Sequence, residues 1–183
     1  MSDLSWKILD STYLVKAPWA VLRKDVCQMP SGYTVPEYYV LEYPNWVNAV
    51  ALTEDNQFIL VKQYRHGAAT TVLEIPGGVI DQNENSFDAV KLELLEEPGY
   101  RFDSYEKICE LFPNPATSNN ITTTYLAKGG VKVQNQQLDL QEEIEIILVS
   151  PKELKQMLFD NKFGQALHTA ALFYALQRLE MIS

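Results

Sequence analysis

Along the first forty or so residues, apolar and polar positions alternate in short bursts, at Tyr13-Leu14-Val15, Trp19-Ala20-Val21-Leu22 and Tyr38-Tyr39-Val40-Leu41. Turn formers such as Pro30-Ser31-Gly32 fall between them, so this stretch predicts strands and hairpins in a small antiparallel sheet. The strand pattern continues through Val47 to Leu52, a turn at Glu54-Asp55-Asn56, Phe58 to Tyr64, and a short strand ending at Ile75 before Pro76-Gly77-Gly78. Further strands are expected near Lys107 to Phe112, Ile121 to Ala127 and Ile144 to Val149.

The period changes in three places. Between Asn85 or Ser86, either of which can cap, and Gly99, which can end a helix, Phe87, Val90 and Leu94 recur on one face at about 100 degrees per residue. Ser150 and Pro151 supply a cap and a first helical position for a second helix. From Gln165 to Leu179, Leu167, Ala171, Phe173, Leu176 and Leu179 repeat at helical spacing. Strands and helices mix without the regular alternation of a doubly wound sheet, which predicts an α+β fold with a mixed sheet between helices and a strand-rich N-terminal extension.

Composition narrows the function. The chain has 183 residues, 46% hydrophobic, enough for a buried core, and its net charge of −9 opposes binding to a nucleic-acid backbone. No apolar run reaches membrane-spanning length and no leader pattern opens the sequence, so a soluble, cytoplasmic protein is expected. Cys27 and Cys109 stand far apart, as do His66 and His168, so these four residues predict packing or surface positions, not a transition-metal or redox set.

The chemistry concentrates in the predicted first helix. Glu93, Glu96 and Glu97 fall on an arc beside the buried stripe, with small Ala89 beneath them. Like charges three and four apart on a helix each cost about 0.2–0.5 kcal/mol, so the arrangement opposes folding unless a cation offsets it. Oxygen ligands of this kind suit magnesium, an ion commonly shared with substrate phosphates. Taken alone, the three glutamates also fit an ordinary solvated helix face.

The flanking residues separate these readings. Five residues separate Gly78 from Glu84 and eight separate Glu84 from Glu93; Leu94, Glu96, Glu97, Gly99 and the apolar Tyr100 follow in order. This pattern resembles the signature of the Nudix hydrolases, which bind divalent metal and cleave a nucleoside diphosphate linked to another group. Glu74-Ile75-Pro76-Gly77-Gly78, Val61-Lys62-Gln63-Tyr64-Arg65, Leu138 to Glu145 and the N-terminal extension are similar to the ADP-ribose pyrophosphatase branch. The resemblance implies an α/β/α sandwich over residues 44–183, an extension over 1–43, and a homodimer across which the extension usually exchanges. It implies Mg2+, or Mn2+, held by Glu93, Glu96 and Glu97 with the Gly77 carbonyl, and a supporting role for Glu84.

The same resemblance gives Glu142, with Glu143 as its neighbour, the task of orienting or deprotonating the attacking water. Arg65 becomes a phosphate contact, as a guanidinium's forked donors suit, or a structural cation. Trp19 and Tyr38 become adenine-stacking candidates, although with ten tyrosines in the chain core or dimer packing competes for that reading.

Two positions depart from the family pattern: Leu92 stands where arginine normally precedes the first metal glutamate, and Pro98 where threonine or another ordinary residue is common. Leucine cannot form a charge-assisted bond that orients a carboxylate, and Pro98 disfavours helical backbone at Glu97. The expectation is a slow hydrolase converting ADP-ribose to AMP and ribose 5-phosphate. The alternatives are a hydrolase of another nucleotide sugar and a Nudix-fold sensor that binds nucleotide without turnover.

Overall fold

The computed structural model describes residues 3–182, in two compact units. One unit ends at Pro44 and takes in Phe112–Ile121; the other comprises Asn45–Leu111 and the chain from Thr122 onward.

In the first unit, β1 (Lys7–Ala17), β2 (Ala20–Gln28) and β3 (Thr34–Glu42) form an antiparallel sheet in that order. The strands run longer than the apolar bursts predict, because β1 is exposed along its whole length and polar residues continue its pairing. Asp25 is buried between the strands, where Ser11 Oγ donates to it at 2.7 Å and Arg23 Nε at 2.8 Å; Arg23 also pairs with Glu42. Segment 112–121 docks on β3 through Leu41 N–H to Thr117 O (2.7 Å) and Tyr38 Oη to Ala116 O (2.7 Å).

The second unit is built on an eight-stranded mixed sheet of β4 (Trp46–Thr53), β5 (Phe58–Arg65), β6 (Thr70–Glu74), β7 (Gly77–Val79), β8 (Tyr100–Arg101), β9 (Ser104–Leu111), β10 (Thr122–Lys132) and β11 (Glu145–Val149). Its spine runs β11-β5-β4-β10-β8, with β4 and β10 parallel and the other pairs antiparallel. The two short strands β7 and β8 carry too few residues to show a period, and the sequence reading misses both.

Alternation along β4 sorts its side chains between two layers. Val47, Ala49 and Ala51 join Ile59, Tyr125 and Ala127 beneath α1 (Ser86–Glu96), packing on Ala89, Val90 and Leu94. Val50, Phe58, Leu60 and Leu126 face the opposite layer with α2 (Pro151–Phe159) and α3 (Ala166–Arg178), against Leu154, Leu172 and Leu176. This is the expected α/β/α sandwich with its N-terminal antiparallel sheet. The alanines under α1 bring the helix close to the sheet, so its polar edge lies against β7.

Phe87 differs from expectation. It is 44% exposed and turns its ring edge-on to Tyr105 of β9 at 5.6 Å, while Ala89 takes the place under the helix. Truncating fully buried Leu126 to alanine is expected to cost about 2–5 kcal/mol in a urea titration. Leu92→Ala, at a 46% exposed position, should stay within about 0.5 kcal/mol of wild type.

Candidate active site

Helix α1 starts where its cap dictates. Asn85 Oδ1 accepts from the N–H groups of Phe87 (3.1 Å) and Asp88 (3.0 Å), while Ser86, the other candidate, hydrogen-bonds Tyr125 Oη at 2.9 Å. At its other end the helix finishes early, at Glu96. Glu97 nevertheless keeps helical backbone (φ −67°, ψ −69°) although proline follows, because its N–H still donates to Glu93 O at 2.9 Å. Its carboxylate, moreover, is anchored.

Glu97 is 4% exposed, and Gly77 N–H donates to its Oε2 at 3.1 Å. Glu93 lies over the other glycine of the pair: a Cβ on Gly78 would fall on the Glu93 carboxylate. Gly78 therefore makes room for the Glu93 carboxylate, while Gly77, where a Cβ would meet the Val47 carbonyl of β4, lies close to the sheet and donates to Glu97. Burial, then the Glu93 charge, raises Glu97 to about 8 despite the Gly77 hydrogen bond; Glu142 adds to the rise and Arg65 opposes it. Burial first, followed by the charges of Glu142, Glu96, Glu84 and Asp139, raises Glu93 to about 7. Glu96 is also raised, by burial and then by Asp139, Glu142 and Glu84.

Glu142 thus acts on all three helix carboxylates, whereas neighbouring Glu143 is not among the charges that raise them. It sits in a closed turn, where its N–H donates to Asp139 O (3.0 Å) and its Oε2 accepts from Asp139 N–H (3.1 Å). Sequence reasoning missed Asp139, although an acid three residues before Glu142 in "LDLQEE" is the signal for such a turn.

Arg65, at the end of β5, binds buried Glu74 through Nε (3.0 Å) and an Nη (2.7 Å) while its side chain stays half-exposed. Gln63 Nε2 donates to the same Glu74 oxygen at 3.0 Å. His168 is buried in α3 and burial lowers it to about 4, so it is neutral at pH 7; Ile75 N–H points at its Nδ1 at 3.4 Å. Glu74 and His168 together fix the chain leading into Gly77. Of the aromatic candidates, both in the first unit, Trp19 is 79% exposed in the β1–β2 turn; Tyr38, its hydroxyl bonded to Ala116, stacks edge-on with Trp6 at 5.7 Å.

Among the described residues, no three histidine, cysteine or acidic side chains form a preformed metal cage. The donor chemistry still fits a hard divalent cation: buried Glu97 is raised by the neighbouring charge of partly buried Glu93, and Arg65, the positive charge acting on Glu97, is already tied to Glu74.

The comparisons with known proteins agree with this geometry. The family model of the NUDIX domain matches residues 43–170, and that of a nucleoside diphosphate sugar hydrolase N-terminal domain matches residues 6–41. The chain belongs to the Nudix family. This Nudix chain is 26% identical to an ADP-ribose pyrophosphatase of Bacillus subtilis over 155 residues, 84% of this chain and 81% of that protein. It is 27% identical to a methanol dehydrogenase activator of Bacillus methanolicus over 154 residues, 84% and 83% of the two chains. The fold matches a crystal structure of an ADP compounds hydrolase with a TM-score of 0.86, covering 99% of this chain and 98% of that one at 19% identity. Family and relatives together make it a Nudix pyrophosphohydrolase.

The raised acids of this Nudix site set a pH dependence. Their folded pKa values lie above the unfolded value near 4.5, so the folded state binds the extra protons. Stability is fully present below about pH 4.5 and falls as pH rises towards 7 for Glu93 and 8 for Glu97, by at most about 1.4 kcal/mol per pH unit for each group. In chelator, the melting temperature is expected to drop between pH 5 and 8.5. Glu97→Gln should flatten that drop, melting above wild type at pH 8.5 but not at pH 5; equal slopes in the two proteins would remove Glu97 as its source.

Proposed function

We propose that this Nudix enzyme hydrolyses ADP-ribose to AMP and ribose 5-phosphate, with Mg2+ as its ion and Mn2+ as a substitute. The observation that carries the reading is the convergence of buried Glu97 and partly buried Glu93, adjacent carboxylates on α1, with Glu142 from a separate loop. A diphosphate ester resists water because its phosphorus is shielded by negative charge and water is a weak nucleophile. Bound divalent metal supplies the remedy for both, neutralising phosphate oxygens and acidifying water. Glu93, Glu97 and Glu96 would hold it, with the Gly77 carbonyl as a further oxygen.

The remaining steps fall to the chain's own groups. Glu142 accepts the water's proton; leaving its turn with Asp139 frees the carboxylate to do so. Arg65, its plane fixed by Glu74, presents its exposed edge to phosphate. Trp19, with its exposed ring, is the better adenine-stacking candidate; the hydroxyl of Tyr38 is already committed to Ala116. Glu84 is a supporting charge. The exposed apolar residues of β1, Ile8, Leu9, Tyr13, Leu14 and Val15, favour a homodimer made through the N-terminal extension. A cytoplasmic location accords with two unpaired cysteines.

Leu92 is the departure expected to slow the reaction, since no guanidinium on α1 orients the carboxylates; Lys91 is no substitute, lying over the Phe87 ring at 5.3 Å. At Pro98, retained helical backbone at Glu97 limits the damage.

The test is AMP release from ADP-ribose in excess Mg2+. Wild type should be active, Leu92→Arg faster by about tenfold, and Glu142→Gln slower in kcat by about a hundredfold or more with KM little changed. Adding Pro98→Thr to Leu92→Arg should change the rate further by less than about threefold. Cleavage of other nucleoside diphosphate derivatives but not ADP-ribose would redirect the substrate assignment. Calorimetric binding of ADP-ribose in both Ca2+ and Mg2+ with no hydrolysis would replace the enzyme with a sensor.

A further inference from the structure

The loop carrying Glu142 has little apolar attachment. Asp139 to Glu143 are all exposed, and burial resumes at Ile144. Hydrogen bonds must therefore set its position relative to the helix.

Those bonds gather at the C-terminal end of α1. A helix leaves its last carbonyls without helical partners, and here Pro98, which has no N–H, cannot prolong the ladder. Gly99 then turns the chain in left-handed backbone (φ +82°), where a Cβ would run into the Gln134 carbonyl, so residues 133–137 pack directly over the helix end. Gln134 Nε2 donates to Leu95 O at 3.0 Å and Gln137 N–H to Glu96 O at 2.8 Å. Val133 and Gln134 N–H both donate to Gly99 O, at 2.9 and 3.2 Å. Gln136 Nε2 closes the base of the loop on Ile144 O at 3.1 Å.

The accepting carbonyls of Leu95 and Glu96 belong to the turn that carries Glu93, Glu96 and Glu97. Among the described residues, the side chain of Gln134 donates to the first of these carbonyls and the backbone of Gln137 to the second. We propose that Gln134 is a positioning residue: its amide staples the 138–143 loop to the end of α1 and so fixes Glu142 against the helix carboxylates. The role rests on the hydrolase reading above, in which Glu142 is the base. It also gives Pro98 a part, since a helix stopped there leaves its terminal carbonyls to the loop.

Gln134→Met keeps the length of the side chain and removes the donor; Gln134→Lys keeps a donor. With ADP-ribose and Mg2+, Gln134→Met should lower kcat by about tenfold to a hundredfold with KM within about twofold, and Gln134→Lys should restore most of it. In a Glu142→Gln background, Gln134→Met should add no further loss, because the positioned group is already gone. Amide exchange of residues 138–143 should quicken in Gln134→Met while α1 and the sheet stay protected. Unchanged kcat, an equal loss in the Glu142→Gln background, or unchanged exchange at 138–143 would each overturn the role and leave the hydrolase reading standing. A wild type that hydrolyses no nucleoside diphosphate refutes the hydrolase reading instead, and exchange at 138–143 then decides whether the staple exists.

Discussion

Two adjacent carboxylates, one buried and one partly buried, are the constraint on which the second unit is organised. Glu93 and Glu97 are one helical turn apart, Glu97 buried and Glu93 partly so, and burial together with neighbouring carboxylate charge raises the proton affinity of both. Nothing in the apolar core requires them. A chain that keeps them must provide room, orientation and an external source of positive charge, and much of the local structure supplies the first two. Gly78 leaves the volume that the Glu93 carboxylate fills, Gly77 donates a hydrogen bond to Glu97, and Glu74 and neutral His168 hold the approach to that pair. Small side chains at Ala49, Ala51, Ala89 and Ala127 let the helix lie low enough for these contacts.

The same constraint explains why the polar network around the site is layered. Buried Glu74 is compensated by Arg65 and Gln63. His168 stays uncharged, so it accepts a backbone hydrogen bond and adds no positive charge to the site. The result is a region in which buried Glu74 is neutralised within the protein while buried Glu97 and partly buried Glu93 are not. That asymmetry distinguishes a structural carboxylate from carboxylates available to a ligand, and it is visible only once the partners are in place.

Much of this was legible in the sequence because it rests on local rules. The period of α1, its start at Asn85 or Ser86, the Ser150 cap with Pro151 behind it, and the helix over Ala166–Arg178 follow from spacing and cap chemistry. The cluster of Glu93, Glu96 and Glu97 and the glycine pair were readable for the same reason. Long-range pairings were not. The Arg65–Glu74 bond joins two strands, His168 meets Ile75 across 93 residues, and Asp139 enters the site from a loop with no period. Phe87 was misplaced because helical spacing assigns a face but not the sheet edge beyond it, where Tyr105 offers an aromatic partner. Pro98 disfavours helical backbone at Glu97, but the hydrogen bond from Glu97 N–H to Glu93 O, 2.9 Å long, outweighs that local preference.

Leu92 gains its meaning from the same electrostatics. An arginine at that position would bring a permanent positive charge to the exposed flank of α1 and offset part of the repulsion before any ligand arrives. With leucine there, and Lys91 drawn to the Phe87 ring, no α1 side chain performs that function. Neutralisation then falls on what binds, so protons and divalent cations compete for Glu93 and Glu97 across the range in which both acids titrate. Binding of the cation must displace those protons, which makes occupancy steeper in pH than it would be beside a built-in cation. The substitution therefore bears on two quantities at once, the orientation of the carboxylates and the pH at which they become ligands, and the second is the one that burial dictates.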